Sequence, residues 1–203
     1  MVVIDCAAIP ETMLESVLFG HVRGAFTGAS FEKIGEFQKA DGGTLFLDEL
    51  GELPMMLQAK VLRAVEQGEV QPLGSNKAPA HVDVRFICAT NRDLAQMVRE
   101  RRFRDDLYYR LSVMTMELPA LRTYKETNLE TMAHVFLQQA CQVHGVRAPR
   151  FSAEAMALLL AYDYPGNVRE LKNAVEHAAI MCSGVEIAAE DLPKSINRGP
   201  HGT

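Results

Sequence analysis

Short apolar runs alternating with helical patterns set the tightest limit on what this chain can fold into. Residues 2–4 are a β-branched run, and residues 44–47 form a second apolar run. The second is entered from Gly42 and Gly43 and left into Asp48 and Glu49. Residues 82–89 and 113–118 read as a third and a fourth strand. Pro10 and Glu11 open a helix that runs through Leu18, with proline and an acid where a helix N-terminus favours them. Pro54 starts another helix, with Leu57, Val61, Leu62 and Val65 on one face and Gly68 as its stop. Residues 70–80 are rich in turn formers and read as a hairpin or loop, and residues 93–111 read as one charged helix. Strands alternating with helices over residues 1–120 imply a largely parallel α/β sheet.

The pattern then changes. From residue 127 to 181 it is helical throughout. Met132, Val135 and Phe136 keep a helical period. Ser152 is placed to cap a helix carrying Met156, Leu159 and Leu160. Asn167 followed by Glu170 has the spacing of a capping box, ahead of Leu171, Val175, Ala178 and Cys182 at steps of three and four. A small all-helical domain is expected over residues 121–197, then a frayed tail at 198–203.

Composition narrows the function. With 203 residues, 48% apolar and 23% charged, the chain fits one large domain or one domain and a small satellite. A net charge of −5 argues against a general nucleic-acid binder, which would be basic. Cys6, Cys88, Cys141 and Cys182 lack zinc-ligand spacing and read as buried thiols of a reducing cytoplasm. Apolar runs such as 156–161 fall far short of the ~18 residues a membrane span needs. No basic stretch followed by an apolar one opens the chain, so a cytoplasmic location is expected.

Five motifs carry chemistry. Asp48 and Glu49 leave an apolar parallel strand, and ligands of open α/β sheets bind at such carboxyl ends. One acid there could serve magnesium and the other an attacking water; a buried strand with a solvated acidic exit fits as well. Thr90 and Asn91 end the next strand and could sense a terminal phosphate or simply cap a helix. Residues 103–111 hold Arg104 and Arg110, which could reach a neighbouring subunit's phosphate. Around them, Arg101/Asp105 and Arg102/Asp106 have the spacing of a solvated ion-paired face. Gly24-Ala25-Phe26-Thr27-Gly28-Ala29 is either a mobile loop with an aromatic tip or a tight turn with Phe26 packed inward. Arg169 lies in the first turn of a helix, where the dipole prefers anions, and this hints at an anionic ligand.

These motifs, in this order, resemble the AAA+ module of sigma-54-dependent transcription activators. The similarity runs over residues 2–193, and the stretch from Glu15 to His21 leading into Gly24–Ala29 carries most of it. The resemblance implies a parallel-sheet P-loop NTPase core followed by a helical lid, with ATP and Mg2+ as cofactors. It implies that Asp48 and Glu49 form the Walker B pair, with Asp48 holding magnesium through water. Thr90 and Asn91 would be the first sensor, Arg104 and Arg110 the arginines offered to the adjacent protomer, and Arg169 the second sensor. Gly24 to Ala29 would touch sigma-54 and couple hydrolysis to remodelling of the polymerase closed complex. The expected partners are sigma-54 RNA polymerase holoenzyme and further copies of the chain in a homo-hexameric ring. DNA binding is expected in a separate domain.

The chain also departs from the resemblance. No Gly-x-x-x-x-Gly-Lys-Ser/Thr occurs in the 203 residues, so the Walker A loop and its strand are missing. The expectation is a fragment of a longer protein, whose strands at 84–89 and 113–118 lose the neighbour between them. Asp5 falls where the family often has an asparagine, and a carboxylate cannot donate a hydrogen bond as an amide does. Tyr164 stands where tryptophan is common. Three activities therefore stay open: an ATPase module, a non-catalytic fragment that only docks on sigma-54 or on intact rings, or a different AAA+ machine such as a helicase loader or protease unfoldase.

Overall fold

The computed structural model describes residues 1–145 and 148–197, the side chains of residues 125–127 excepted. The tail expected at 198–203 lies outside the described residues. The chain divides into two compact units, Met1–Met116 and Glu117–Thr203.

The first unit runs β1 (Val2–Asp5), α1 (Glu11–Phe19), β2 (Gly20–His21), β3 (Lys33–Ile34), α2 (Glu36–Lys39) and β4 (Gly43–Asp48). A 3-10 turn, Leu50–Glu52, leads to α3 (Met55–Gln67), β5 (Glu69–Val70), β6 (Ala80–His81) and β7 (Val84–Cys88). Two short helices follow, α4 (Leu94–Arg99) and α5 (Asp105–Leu111). The main sheet is parallel, in the order β1-β4-β7, with Asp5 opposite Asp48 and Leu47 opposite Cys88. This is the parallel sheet that the alternation implied. Leu45 and Leu47 of the central strand are fully buried, with Leu14, Leu18, Phe19, Phe37, Val61 and Leu107. Phe19 and Phe37 stack with ring centroids 5.1 Å apart. On alternate positions of the edge strands Val3 and Ile87 remain 59% and 40% exposed, so the sheet is buried on one face.

Three expectations change in this unit. Residues 113–118 form no strand, and Val113, Met114, Met116 and Leu118 are all more than three-quarters exposed. A strand needs a neighbour for its N–H and C=O groups. Among the described residues β7 is an edge with no second partner. The charged stretch 93–111 is two helices rather than one. Arg101 enters the left-handed region at φ 59, and the Arg102 and Phe103 N–H groups turn back to the Met97 carbonyl at 2.8 and 3.2 Å. That turn drives Phe103 into the core. Finally, residues 20–29 read from their glycines as one loop, but Gly20 and His21 pair antiparallel with Lys33 and Ile34, so the loop starts only at Val22.

The second unit opens with a 3-10 turn, Leu121–Tyr124, and the long α6 (Lys125–His144). Then come β8 (Arg150–Phe151), α7 (Ala153–Ala161), α8 (Asn167–Met181), β9 (Glu186–Ile187), a 3-10 turn Ala189–Asp191 and α9 (Lys194–Asn197). Residues 127–181 are therefore not helical throughout, because Arg150 and Phe151 pair in parallel with Glu186 and Ile187. Leu129, Ala133, Leu159, Tyr164, Leu171, Val175 and Ala178 form a fully buried core. Ser152 caps α7 as its position suggested, its hydroxyl accepting from the Ala155 N–H at 3.1 Å.

Asn167 does not form the expected capping box. It sits at φ 54, and its Oδ1 accepts from the Leu121 N–H at 2.9 Å. The Glu170 carboxylate instead accepts from the Gly166 N–H at 2.8 Å and the Tyr162 hydroxyl at 3.1 Å. A tertiary bond has taken the asparagine side chain that the local pattern assigned to its own helix.

Candidate functional site

The site is built where β1, β4 and β7 end together. Asp48 closes β4, half-buried, and its Oδ1 accepts from the Glu49 N–H at 2.9 Å. Glu49 lies at φ 51, ψ 47, a left-handed conformation that costs a non-glycine residue roughly 1–2 kcal/mol. The next turn is anchored to β7, because the Leu50 N–H donates to the Ala89 carbonyl at 2.9 Å. Asp5 reaches the same end, and its Oδ1 accepts from the Ala7 and Ala8 N–H groups at 2.9 and 3.2 Å. Three carboxylates thus converge on one end of the sheet. Their field, with burial as the larger cause, pushes the Cys6 thiol up to about 12. Burial pushes Cys88 up to about 11.

Thr90 and Asn91 follow β7 directly. Asp93, not either of them, caps α4, accepting from the Gln96 N–H at 2.9 Å. Thr90 Oγ1 accepts from the Arg92 N–H at 3.1 Å, and Asn91 is exposed. Arg92 then locks this strand end to the acidic one. Its Nη1 donates to the Gly51 carbonyl at 3.2 Å, and its guanidinium pairs with Glu52. Glycine at 51 gives Arg92 and Thr90 this close approach, because a Cβ there would stand 2.9 Å from Arg92 Cδ and 3.0 Å from Thr90 Oγ1, and those side chains would have to shift.

Arg104 and Arg110 lie at the two ends of α5. Arg104 binds Asp106 with two contacts, Nε to Oδ1 at 3.0 Å and Nη2 to Oδ2 at 2.7 Å. That hydrogen-bonded pair holds the Asp106 carboxyl below the usual range and raises Arg104. The pairs expected at Arg101/Asp105 and Arg102/Asp106 do not form, since the helix breaks between them, and Arg102 meets Glu100 at 3.3 Å. Gln58, fully buried, fixes the turn before α5. Its Nε2 donates to the Leu53 carbonyl at 2.8 Å and the Arg102 carbonyl at 3.2 Å, and its Oε1 accepts from the Arg104 N–H at 2.9 Å. Arg110 is exposed.

The loop at Gly24–Ala29 is closed by the Gly24 N–H donating to the Ala29 carbonyl at 2.8 Å. Thr27 is exposed and Ala29 buried. Phe26 is 47% exposed, its ring edge-on to the buried His21 at 5.0 Å. The aromatic is thus neither free nor packed inward. Arg169 belongs to the second unit, exposed in the first turn of α8.

Sequence reasoning missed Gln58, Arg92, Glu52 and His21. Gln58 carried a signal: it is a polar residue beside Leu57 on the apolar face of α3. The others become legible only through partners distant in sequence. Among the described residues no group of three or more His, Cys, Asp or Glu side chains gathers as a metal cage, and no helix is long and apolar enough to cross a membrane.

A parallel sheet with acids and hydrogen-bonding side chains at its carboxyl ends, followed by a helical unit, defines an open α/β class in which ligands bind at the ends of strands. Residues 1–117 match the family described as Sigma-54 interaction domain, and residues 124–203 match the AAA+ ATPase lid domain. The chain belongs to the sigma-54 interaction domain family of AAA+ proteins. It is 48% identical over 200 residues to the transcriptional regulatory protein ZraR of Escherichia coli (strain K12), covering 98% of this chain and 45% of ZraR. To the regulatory protein AtoC of the same organism it is 47% identical over 195 residues, covering 96% and 42%. The chain thus spans less than half the length of these curated relatives. NtrX from Brucella abortus, crystallised in complex with ADP, superposes with a TM-score of 0.87 at 33% identity, covering 96% of this chain and 43% of NtrX. Its complex with ATP gives a TM-score of 0.86.

Proposed function

We propose that this chain is the ATPase module of a cytoplasmic sigma-54-dependent transcription activator, coupling ATP hydrolysis to remodelling of the sigma-54 RNA polymerase closed complex. The observation that carries the reading is the meeting of Asp48, Glu49 and Thr90 at one end of the parallel sheet. The donor set fits a magnesium nucleotide in part. Asp48 is a half-buried carboxylate able to hold Mg2+ through water, and Glu49, the left-handed residue that follows the strand, would orient a water. When bound, the metal would neutralise phosphate charge. Thr90 and Asn91 serve as the first sensor, and Arg169 as the second. Arg104 and Arg110 complete a neighbour's site, which requires a ring; a hexamer is the proposed assembly. Gly24, Ala25, Phe26, Thr27, Gly28 and Ala29 contact sigma-54. DNA recognition belongs to a separate domain.

A second reading is favoured by one specific observation. No glycine-rich phosphate loop with its lysine occurs in the 203 residues, so this chain by itself is a sigma-54 or ring-docking module without turnover. Two measurements decide. Phosphate release by the purified chain with ATP and Mg2+ sinks the non-catalytic reading. Binding of the chain to sigma-54 that disappears in Thr27→Ala supports the contact role, and a wild-type chain that never binds sigma-54 overturns it. With a phosphate-binding segment supplied, Arg104→Ala is expected to slow turnover by roughly 10³–10⁵-fold.

A further inference from the structure

Arg104 stands in an awkward place for a cation. It is the N-cap of α5, the end where the helix dipole disfavours positive charge, and no side chain caps the helix there. Asp105 and Asp106 in the first turn offset the charge, and Asp106 grips the guanidinium at Nε and Nη2. What places the Arg104 backbone comes from 46 residues earlier in the chain. The Gln58 Oε1 accepts from the Arg104 N–H, and its Nε2 donates to the Arg102 carbonyl, so one side chain brackets the turn that leads into α5. The same Nε2 donates to the carbonyl of Leu53, the residue that ends the 3-10 turn following Glu49.

The choice of residue at 58 is not explained by packing. Leu57, Val61 and Ala64 give α3 its buried stripe, and Gln58 is 0% exposed beside them. A buried amide costs stability unless its hydrogen bonds are made, and here both donor and acceptor ends are used. All three bonds go to backbone, and all three lie on the path between the acidic strand end and Arg104.

We propose that Gln58 is a positioning residue for the arginine offered to the neighbouring protomer, fixing the Arg104 backbone against the turn that follows Asp48 and Glu49. This rests on the role given to Arg104 above. Gln58 is too deeply buried to touch a nucleotide and acts only through the backbone it holds. Arg104 is thus held twice, at its N–H by Gln58 and at its guanidinium by Asp106. Arg110, in the last turn of α5, takes its place from the same helix start.

The test reads the Asp106 carboxyl in the 203-residue chain by NMR titration. That carboxyl titrates below the ordinary carboxylate range because the Arg104 guanidinium hydrogen-bonds it. Gln58→Met keeps the side-chain length and removes all three bonds. Asp106 is expected to shift up towards the ordinary range, since an unanchored Arg104 leaves it for part of the time. Val61→Ala thins the core of the same helix without touching these bonds, and is expected to leave Asp106 in place. An unmoved Asp106 in Gln58→Met overturns the proposal. So does an equal shift in both variants, which makes the role one of packing alone. Should Gln58→Met fail to fold, amide exchange in the wild-type chain decides. The Arg104 N–H is expected to exchange about tenfold slower than an unprotected amide, the protection of one buried hydrogen bond, and exchange at the unprotected rate overturns the anchoring. With a phosphate-binding segment supplied, Gln58→Met is expected to lower kcat about 10²-fold, the cost of a misplaced group. The KM for ATP should stay unchanged, because the arginine acts on the neighbour's transition state. Full kcat in Gln58→Met, where Arg104→Ala abolishes turnover, overturns the positioning role. Full turnover in Arg104→Ala, with Asp106 shifted in Gln58→Met, upholds the anchoring and overturns the reading of Arg104 on which it rests, so the two failures are distinct.

Discussion

Tyr164, in the connection between α7 and α8 of the helical unit, is fully buried, while Ile87, on β7 of the α/β unit, is 40% exposed. Tyr164 packs edge-on to Tyr162 at 5.1 Å and donates its hydroxyl hydrogen to the Leu159 carbonyl at 2.8 Å. Nothing comparable covers Ile87, and β7 forms the edge of its sheet. The difference lies in how each element satisfies itself. A helix closes its backbone bonds internally and needs a partner for one stripe only, which α6, α7 and α8 give one another. A parallel strand needs a neighbour on each side and cover on both faces. Helices can therefore complete a core among themselves, whereas this three-stranded parallel sheet leaves one face and, among the described residues, both edges unused.

Substitutions at the two cores sharpen this contrast. Tyr164→Ala should cost the helical unit about 3–5 kcal/mol, the usual loss for a fully buried aromatic. Hydrogen exchange should accelerate in α7 and α8 while β4 stays protected; acceleration of β4 to the same degree would break the contrast between the units. Gln58→Leu is the α/β counterpart. It leaves the Leu53 and Arg102 carbonyls and the Arg104 N–H without their partner, at about 2–4 kcal/mol in denaturant unfolding. An unchanged midpoint would mean that water replaces all three bonds.

Alkaline pH separates the units more gently. Cys6 and Cys88 have folded values raised above the ordinary thiol value of 9.0, so their stabilising contribution is complete below pH 9 and is lost as pH rises towards about 12 and about 11. By pH 10 each thiol should have withdrawn about 1 kcal/mol, read as a falling unfolding free energy that Cys6→Ala and Cys88→Ala flatten. A flat profile in the wild type would place both thiols in contact with water. Smallest of all is Asp106→Asn. Its ion pair with Arg104 is largely exposed, so no more than about 1 kcal/mol of stability is expected to go. The lowered Asp106 carboxyl keeps the pair charged at neutral pH and releases it only as pH falls below the ordinary carboxylate value. Mobility of the Arg104 side chain by NMR should increase well before any melting change appears.

The strands at β1, β4 and β7, the helices α1, α3 and α7, and the placement of Asp48, Glu49, Thr90 and Asn91 at strand ends were all legible in the sequence. Each depends on a local pattern: an apolar run, a period of three to four, or a proline, serine or glycine at a boundary. The errors share an opposite cause. Residues 113–118 have the composition of a strand, but composition cannot supply a neighbour. Asn167 and Glu170 have capping-box spacing, but Leu121, 46 residues away, takes the asparagine.

The sequence by itself determined which residues are apolar, which acids and hydroxyls stand at the ends of strands, and that a glycine-bracketed aromatic loop lies between helix and sheet. Only the tertiary structure decided that Arg92 and Gly51 lock two strand ends together, that Gln58 sets the turn before Arg104, and that His21 stands behind Phe26. The physical reason is range. Propensity and periodicity act over a few residues, whereas a buried polar group takes whichever partner the fold brings within 3 Å, and that partner can be 40 or more residues away.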